Sequence, residues 1–208
     1  MLVIGLTGGV ASGKTTVSEV LREEGAILID ADQIARELVQ PKTEAWQELV
    51  RAFGNEILER DGSIRRQKLA SLIFSNPRQR SVLDRILHPR IREEIRRRLK
   101  GIEQKNPEAI VVIDAPLIIE TGGHREMDKV IVVACTETQQ IERLRRRSQL
   151  SEDQARAMLS SQMPLEEKKR VADYVIGNDG SPEETRRKAR DIFRELKEIA
   201  LQAKGETA

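Results

Sequence analysis

Two kinds of apolar run alternate along the 208 residues. The first kind is short and rich in Val and Ile: Leu2 to Leu6, Ala26 to Ile29, Ile110 to Ile113, Val130 to Ala134 and Tyr174 to Ile176. Runs of this length without polar alternation predict strands buried on both faces. The second kind has helical spacing. From Thr15 to Glu24 the apolar residues Val17, Val20 and Leu21 fall at i, i+3 and i+4, and Gly25 stands where a left-handed C-cap is wanted. A strand, a helix and a second strand therefore fit before Asp32 as one βαβ unit. From Gln33 to Asn106 the spacing is helical, with breaks expected at Pro41, Gly54, Asp61-Gly62, Asn76-Pro77 and His88-Pro89. Ser181-Pro182-Glu183-Glu184 opens the closing helix with a capping serine, a proline at the first helical position and a capping-box glutamate. The tail after Lys204 is expected to fray. Strands alternating with helices predict an α/β fold whose parallel sheet is covered by helices on both faces. The expected division is an α/β core of residues 1–32 and 107–208 around a helical domain of residues 33–106.

Composition narrows the class. Lys+Arg number 36 and Asp+Glu 34, for a net charge of +2, so charge alone announces no polyanionic partner. Aromatics at 2% leave an aliphatic core and no stacking platform for single strands, and no nucleic-acid partner is expected. Cys135 is the one cysteine, so the fold does not depend on an oxidising compartment. The apolar start meets glycines and Lys14 too soon for a signal sequence, and no run approaches the roughly 18 residues of a membrane span. A cytoplasmic protein without a membrane partner is expected, monomeric, with weak self-association left open.

Gly8-Gly9-Val10-Ala11-Ser12-Gly13-Lys14-Thr15 satisfies G-x-x-x-x-G-K-S/T, between a predicted strand and a predicted helix as that phosphate-binding loop requires. Small residues let consecutive backbone N–H groups converge on β- and γ-phosphate oxygens, where a helix dipole also favours an anion. Side chains there would block the approach. Lys14 would neutralise β/γ charge, and the Thr15 hydroxyl would ligate a Mg²⁺ ion bridging the same phosphates. The glycine spacing is not the dinucleotide fingerprint G-x-G-x-x-G.

Kinases, ATPases and GTP switches share such a loop, so the remaining residues must choose. The sequence has no Asn-Lys-x-Asp guanine reader. Asp30 and Asp32 follow the second strand, where ligands of open α/β sheets bind; Asp32 either presents a carboxylate there or caps a helix over Gln33 to Val39. Asp114, ending the third apolar run ahead of Pro116, either steadies magnesium or serves a turn. Arg143, Arg145, Arg146 and Arg147 crowd a helix ahead of a polar segment, Ser148 to Met163, with little to anchor it. Either they form a solvated face or a mobile basic flap closes over phosphates, with Arg143 and Arg147 one turn apart. Arg90 to Lys100 is expected to be mostly solvated surface, its start being a candidate for substrate phosphate. His88 reads as a helix-end residue and Cys135 as a small core residue at a strand end.

Several separated segments match one family in order: GLTGGVASGKTTV, DADQIARELV, LHPRI, VVIDAPLIIE, the basic flap and ADYVIGNDG. From about Leu2 to beyond Gly180 the chain resembles the dephospho-coenzyme A kinases. The resemblance implies a P-loop nucleoside triphosphate hydrolase fold of nucleotide-kinase type with a helical acceptor domain and a lid, placed here at about residues 143–165. It implies transfer of the ATP γ-phosphoryl, with Mg²⁺, to the ribose 3′-hydroxyl of dephospho-coenzyme A, the last step of coenzyme A synthesis. Thr7 to Thr16 match the family's ATP loop, including Gly8, Gly9, Val10, Ala11, Ser12, Gly13, Lys14, Thr15 and Thr16, and Arg147 joins them on the ATP side. Asp32 matches the proposed base, Arg143 the arginine on the transferred phosphate, and Thr7, Arg36, His88, Pro116 and Leu117 segments on the acceptor side. One departure is Ala134-Cys135-Thr136-Glu137, where the family often has a proline. Other small-metabolite kinases and a non-catalytic ATP-binding module are the competing readings.

Overall fold

The structure, a computed structural model, describes residues 1–74 and 76–205. Five strands form one sheet in the order β2-β3-β1-β4-β5. They are β1 Leu2–Gly8, β2 Ile27–Asp30, β3 Ile110–Asp114, β4 Lys129–Ala134 and β5 Tyr174–Gly177, in the five places where short apolar runs predict them. β1 pairs in parallel with β3, Leu6 opposite Asp114, and with β4, Gly8 opposite Val133; β4 pairs in parallel with β5. Parallel neighbours need crossovers, and helices supply them.

On one face, Ile4 and Leu6 of β1, Val112 of β3 and Ile131 and Val133 of β4 pack with Val17, Val20 and Leu21 of α1 (Lys14–Glu23). Ala189, Phe193 and Leu196 of α9 (Pro182–Gly205) complete this layer. Each of the large aliphatic side chains contributes about 1.5–3 kcal/mol by leaving water. On the other face the chain after β3 lies close: a Cβ on Gly5 would stand 3.2 Å from Met127 and 3.3 Å from Ile118. There α8 (Leu165–Arg170) packs against β4. The serine cap of α9 forms as expected, Glu184 N–H donating to Ser181 Oγ and Ser181 N–H to Glu184 Oε2. The expected frayed tail lies, beyond Gly205, outside the described residues.

The chain divides into two compact units, Met1–Ile29 with Gly101–Ala208, and Asp30–Lys100. The sequence boundary after Asp32 is thus shifted, and Asp32 falls in the helical unit. The reason is local: Asp30 ends β2 and N-caps α2 (Ala31–Leu38), accepting from Gln33 N–H at 3.0 Å. Asp30, not Asp32, is the capping residue.

The helical unit also holds α3 (Glu44–Phe53), α4 (Arg66–Phe74) and α5 (Pro77–Lys105, of which it takes the part to Lys100). Leu49, Phe53, Ile57, Ile64 and Leu69 form its core, and Trp46 Nε1 ties α3 to the Asp61-Gly62 turn through the Gly62 carbonyl. The break expected at His88-Pro89 is absent, and α5 runs through it. Pro89 has no N–H for the carbonyl one turn back. Val82, Leu83, Ile86 and Leu87 compensate by packing on the core, and one residue past the proline Arg90 Nη1 donates to the Ile86 carbonyl at 2.7 Å. Arg90 also pairs with Glu48 at 2.8 Å, so the start of the basic run is held within the unit. His88 is therefore a mid-helix residue, 3.5 Å from Asp84, and not a helix-end one.

Farther along α5, Glu94 accepts from Arg97 (2.7 Å, twice) and Arg98 (2.8 Å), while Arg97 itself remains exposed as expected. The Arg97 hydrogen bonds chiefly, then Arg98, pull the Glu94 carboxyl from 4.5 to about 2 against the opposing effect of burial. A carboxyl lowered on folding stabilises above its unfolded value, and the contribution is lost as pH falls through the folded one. Unfolding measured between pH 4.5 and 2 should show the helical unit weakening, and Glu94→Gln should flatten that slope.

Candidate active site

The loop after β1 has a backbone suited to anions. Ala11 (φ 57°) and Gly13 (φ 91°) are left-handed. Ser12 N–H donates to Gly9 O at 3.0 Å and Thr16 N–H to Gly13 O at 3.1 Å. Gly13 N-caps α1 with no side-chain acceptor, and the first helical turn has no acidic residue. A helix start left in this state, facing a turn that aligns its N–H groups, favours a phosphate.

Several side chains seat the loop from its protein side. Gln140 Nε2 donates to Val10 O (2.6 Å), and Val10 N–H donates to Gln162 Oε1 (3.1 Å). Buried Asn178 donates to Ser12 O (2.7 Å) and is oriented by the Thr185 hydroxyl (2.9 Å). Arg143 donates to Ala11 O and Ser12 O, each at 3.4 Å, and to Asn178 O at 2.9 Å. These contacts change the account of the glycines. A Cβ at Gly8 would come 2.5 Å from both Ser12 Oγ and Val133 O, while those at Gly9 and Gly13 would press on Gln140 and Asn178. The small residues seat the loop on its support as well as opening it to a ligand.

Lys14 forms an ion pair with Asp114, both mostly buried, so the end of β3 faces the start of α1. Thr15, next on α1, is exposed. Two residues past Asp114, the Pro116 carbonyl accepts from Thr7 Oγ1 and from Lys168 Nζ, both at 2.9 Å. Leu117 is exposed.

The segment after Arg143 is better anchored than its polarity suggests. It forms α6 (Glu137–Ser148) and α7 (Glu152–Ser160), each opened by a capping box, from Thr136 and Ser151. Ile141, Leu144 and Ala155 are buried together, with Val10, Ala11 and Leu159 against them. Arg147 is exposed on α6.

A hollow of about 870 Å³ beside Gly9 and Val10, lined also by Cys135, Gln140 and Gln162, contains neither Lys14, Thr15 nor Asp114. The anion site is therefore assigned to the loop and the α1 start. Half-buried Cys135 has its thiol raised by burial, which Arg143 only partly offsets, so it stays a neutral packing group.

The dephospho-CoA kinase family model matches residues 2–184. The chain belongs to the dephospho-CoA kinase family. A dephospho-CoA kinase of Syntrophotalea carbinolica is 47% identical over 186 residues, 89% of this chain and 88% of that one. Among solved structures, TT1252 from Thermus thermophilus matches with a TM-score of 0.79 and 32% identity, over 94% of this chain and 97% of that one. A dephospho-CoA kinase from Campylobacter jejuni matches with a TM-score of 0.63 and 27% identity, over 93% and 96%.

For a dephospho-CoA kinase family member, the structure assembles one part of the expected site within one unit: the loop, Lys14, Asp114, Arg143, Thr7 and Pro116. The remaining candidates lie in the helical unit, Asp32 in the first turn of α2, Arg36 in its last turn and His88 on α5. Arg143 has a structural duty beyond the expected one on phosphate. Arg143→Ala should lower kcat about 10²-fold, as loss of a preorganised charge does, and weaken ATP binding about tenfold through the loosened loop. Steady-state kinetics with a nucleotide titration separates the two effects.

Proposed function

We propose that this site transfers the γ-phosphoryl of ATP to the ribose 3′-hydroxyl of dephospho-coenzyme A, releasing coenzyme A and ADP. The chain is a dephospho-CoA kinase by family, and the observation that carries the chemistry is the anion-ready loop with Lys14 and Asp114 together at its mouth. Phosphoryl transfer asks little covalent work of a protein; positioning and charge neutralisation dominate.

The loop N–H groups and Lys14 hold the β- and γ-phosphates. When bound, Mg²⁺ would supply positive charge to offset that of the phosphates. The residues present fit it: the Thr15 hydroxyl and the Asp114 carboxylate would hold the ion. Among the described residues no group of three or more His, Cys, Asp or Glu could hold a metal. Asp32 takes the proton of the attacking 3′-hydroxyl. Its support is its place two residues past the end of β2, the region where open α/β sheets bind ligands. Arg143 and Arg147 add charge on the ATP side. Thr7, Arg36, His88, Pro116 and Leu117 line the acceptor side, the helical unit acting as acceptor domain and residues 143–165 as the lid. This reading puts the reaction in the cytoplasm, in a monomer with weak self-association left open. Among the described residues no helix is long and apolar enough to cross a membrane.

The test is an acceptor panel with ATP and Mg²⁺: dephospho-coenzyme A, nucleoside monophosphates and shikimate. Dephospho-coenzyme A should alone give rapid ADP release. Preference for another acceptor would overturn the substrate assignment, and ATP binding without acceptor-dependent turnover would make the chain a binding module.

A further inference from the structure

Lys168 and Lys169 stand side by side in α8, yet their surroundings are opposite. Lys169 pairs at the surface with Glu166. Lys168 is fully buried, its Nζ 2.7 Å from Glu120 Oε1 and 2.9 Å from the Pro116 carbonyl. A buried ammonium is tolerated when its charge is paired and its protons find acceptors, and these two partners bracket the segment 116–120.

The contacts continue in both directions. The Pro116 carbonyl also accepts from Thr7, one residue before the phosphate loop. Glu120 Oε1 also accepts from Met163 N–H at 3.3 Å, and the neighbouring Gln162 accepts from Val10 N–H within the loop. Lys168 therefore lies where a loop-bound segment, Gln162–Lys168, meets the segment that starts just past Asp114. One Glu120 carboxylate oxygen, Oε2, is buried without a hydrogen-bond partner, so Lys168 is the main stabiliser of that charge.

We propose that Lys168 is a positioning residue for the acceptor: it fixes Pro116–Leu117 against the phosphate loop, so that acceptor hydroxyl and γ-phosphoryl are held in line. This rests on the reading above that Pro116 and Leu117 line the acceptor side. Misplacement by about 1 Å costs on the order of 10²-fold in rate.

Lys168→Met keeps an unbranched side chain and removes the charge and the donors. It should lower kcat/KM for dephospho-coenzyme A by about 10²-fold, while ATP affinity measured without acceptor shifts less than about threefold. Glu120→Gln, which keeps an acceptor oxygen for Lys168 and removes the charge that pairs with it, should move acceptor kinetics the same way by about tenfold, again with ATP binding kept. If Lys168→Met does not fold, Glu120→Gln carries the test. Acceptor kinetics within about twofold of the parent, or acceptor kinetics and ATP affinity falling together, would reduce Lys168 to a structural ion pair and overturn the proposal. A parent enzyme inactive on dephospho-coenzyme A would overturn the functional reading and this proposal with it; an active parent with indifferent variants would overturn this proposal alone.

Discussion

Lys14→Ala is expected to give a folded protein with turnover reduced at least about 10³-fold, at the upper end of what removing one preorganised charge does. The ammonium lies at the first position of α1 and pairs with Asp114, outside the apolar layer of Val17, Val20 and Leu21. Alanine is the best helix former, so α1 itself is unharmed. Asp114 loses its partner, which costs about 1–3 kcal/mol, less than the stability of an ordinary domain. Two losses combine in the chemistry. The lysine's share of β/γ charge neutralisation is gone, and the Asp114 carboxylate loses the ammonium that pairs with it at the mouth of the loop. ATP affinity should fall as well. The check is kcat with a thermal melt on the same sample: near-parent turnover in a folded variant would remove the phosphate-loop assignment.

Asp32→Asn is expected to keep ATP binding and lose about 10²- to 10⁴-fold in kcat, the usual contribution of a general base. The amide has the same shape and cannot accept the proton. Stability gives an independent control, because the cap of α2 belongs to Asp30. Asp32 adds the helix-dipole effect of a first-turn carboxylate, about 0.3–1 kcal/mol, and supplies no cap. Asp30→Ala should therefore destabilise by about 1 kcal/mol through the lost cap and leave kcat nearly intact. A kcat for Asp32→Asn within about threefold of the parent would leave Asp32 a helix-start residue and nothing more.

The contrast between these two aspartates shows what local pattern can and cannot carry. Strands of Val and Ile flanked by glycines are legible because burial on both faces leaves one pattern, and the loop is legible because its chemistry dictates residue types at fixed spacing. Which of Asp30 and Asp32 caps α2 depends on where β2 ends, and that is a matter of register. Pro89 inside α5 is a case of packing overriding a local rule, since Ile86 and Leu87 pack on the helical core. The anchoring of α6 and α7 joins Ile141 and Leu144 to Ala155, a residue too small to signal a core position. Gln140, Gln162 and Asn178 hold the loop through hydrogen bonds that span the chain and leave no periodic trace. Lys168 is the extreme case: identical in type to Lys169, it differs only in which side of α8 faces β4.

The proposed reaction makes one bond, between the γ-phosphorus of ATP and the 3′-oxygen of the acceptor ribose. The direct test incubates the chain with γ-labelled ATP, Mg²⁺ and dephospho-coenzyme A and locates the label in the product by phosphorus NMR. Label on the ribose 3′-oxygen of coenzyme A, in a one-to-one ratio with ADP, is the result predicted. Label released as inorganic phosphate regardless of acceptor, or found on a different acceptor atom, would contradict the account.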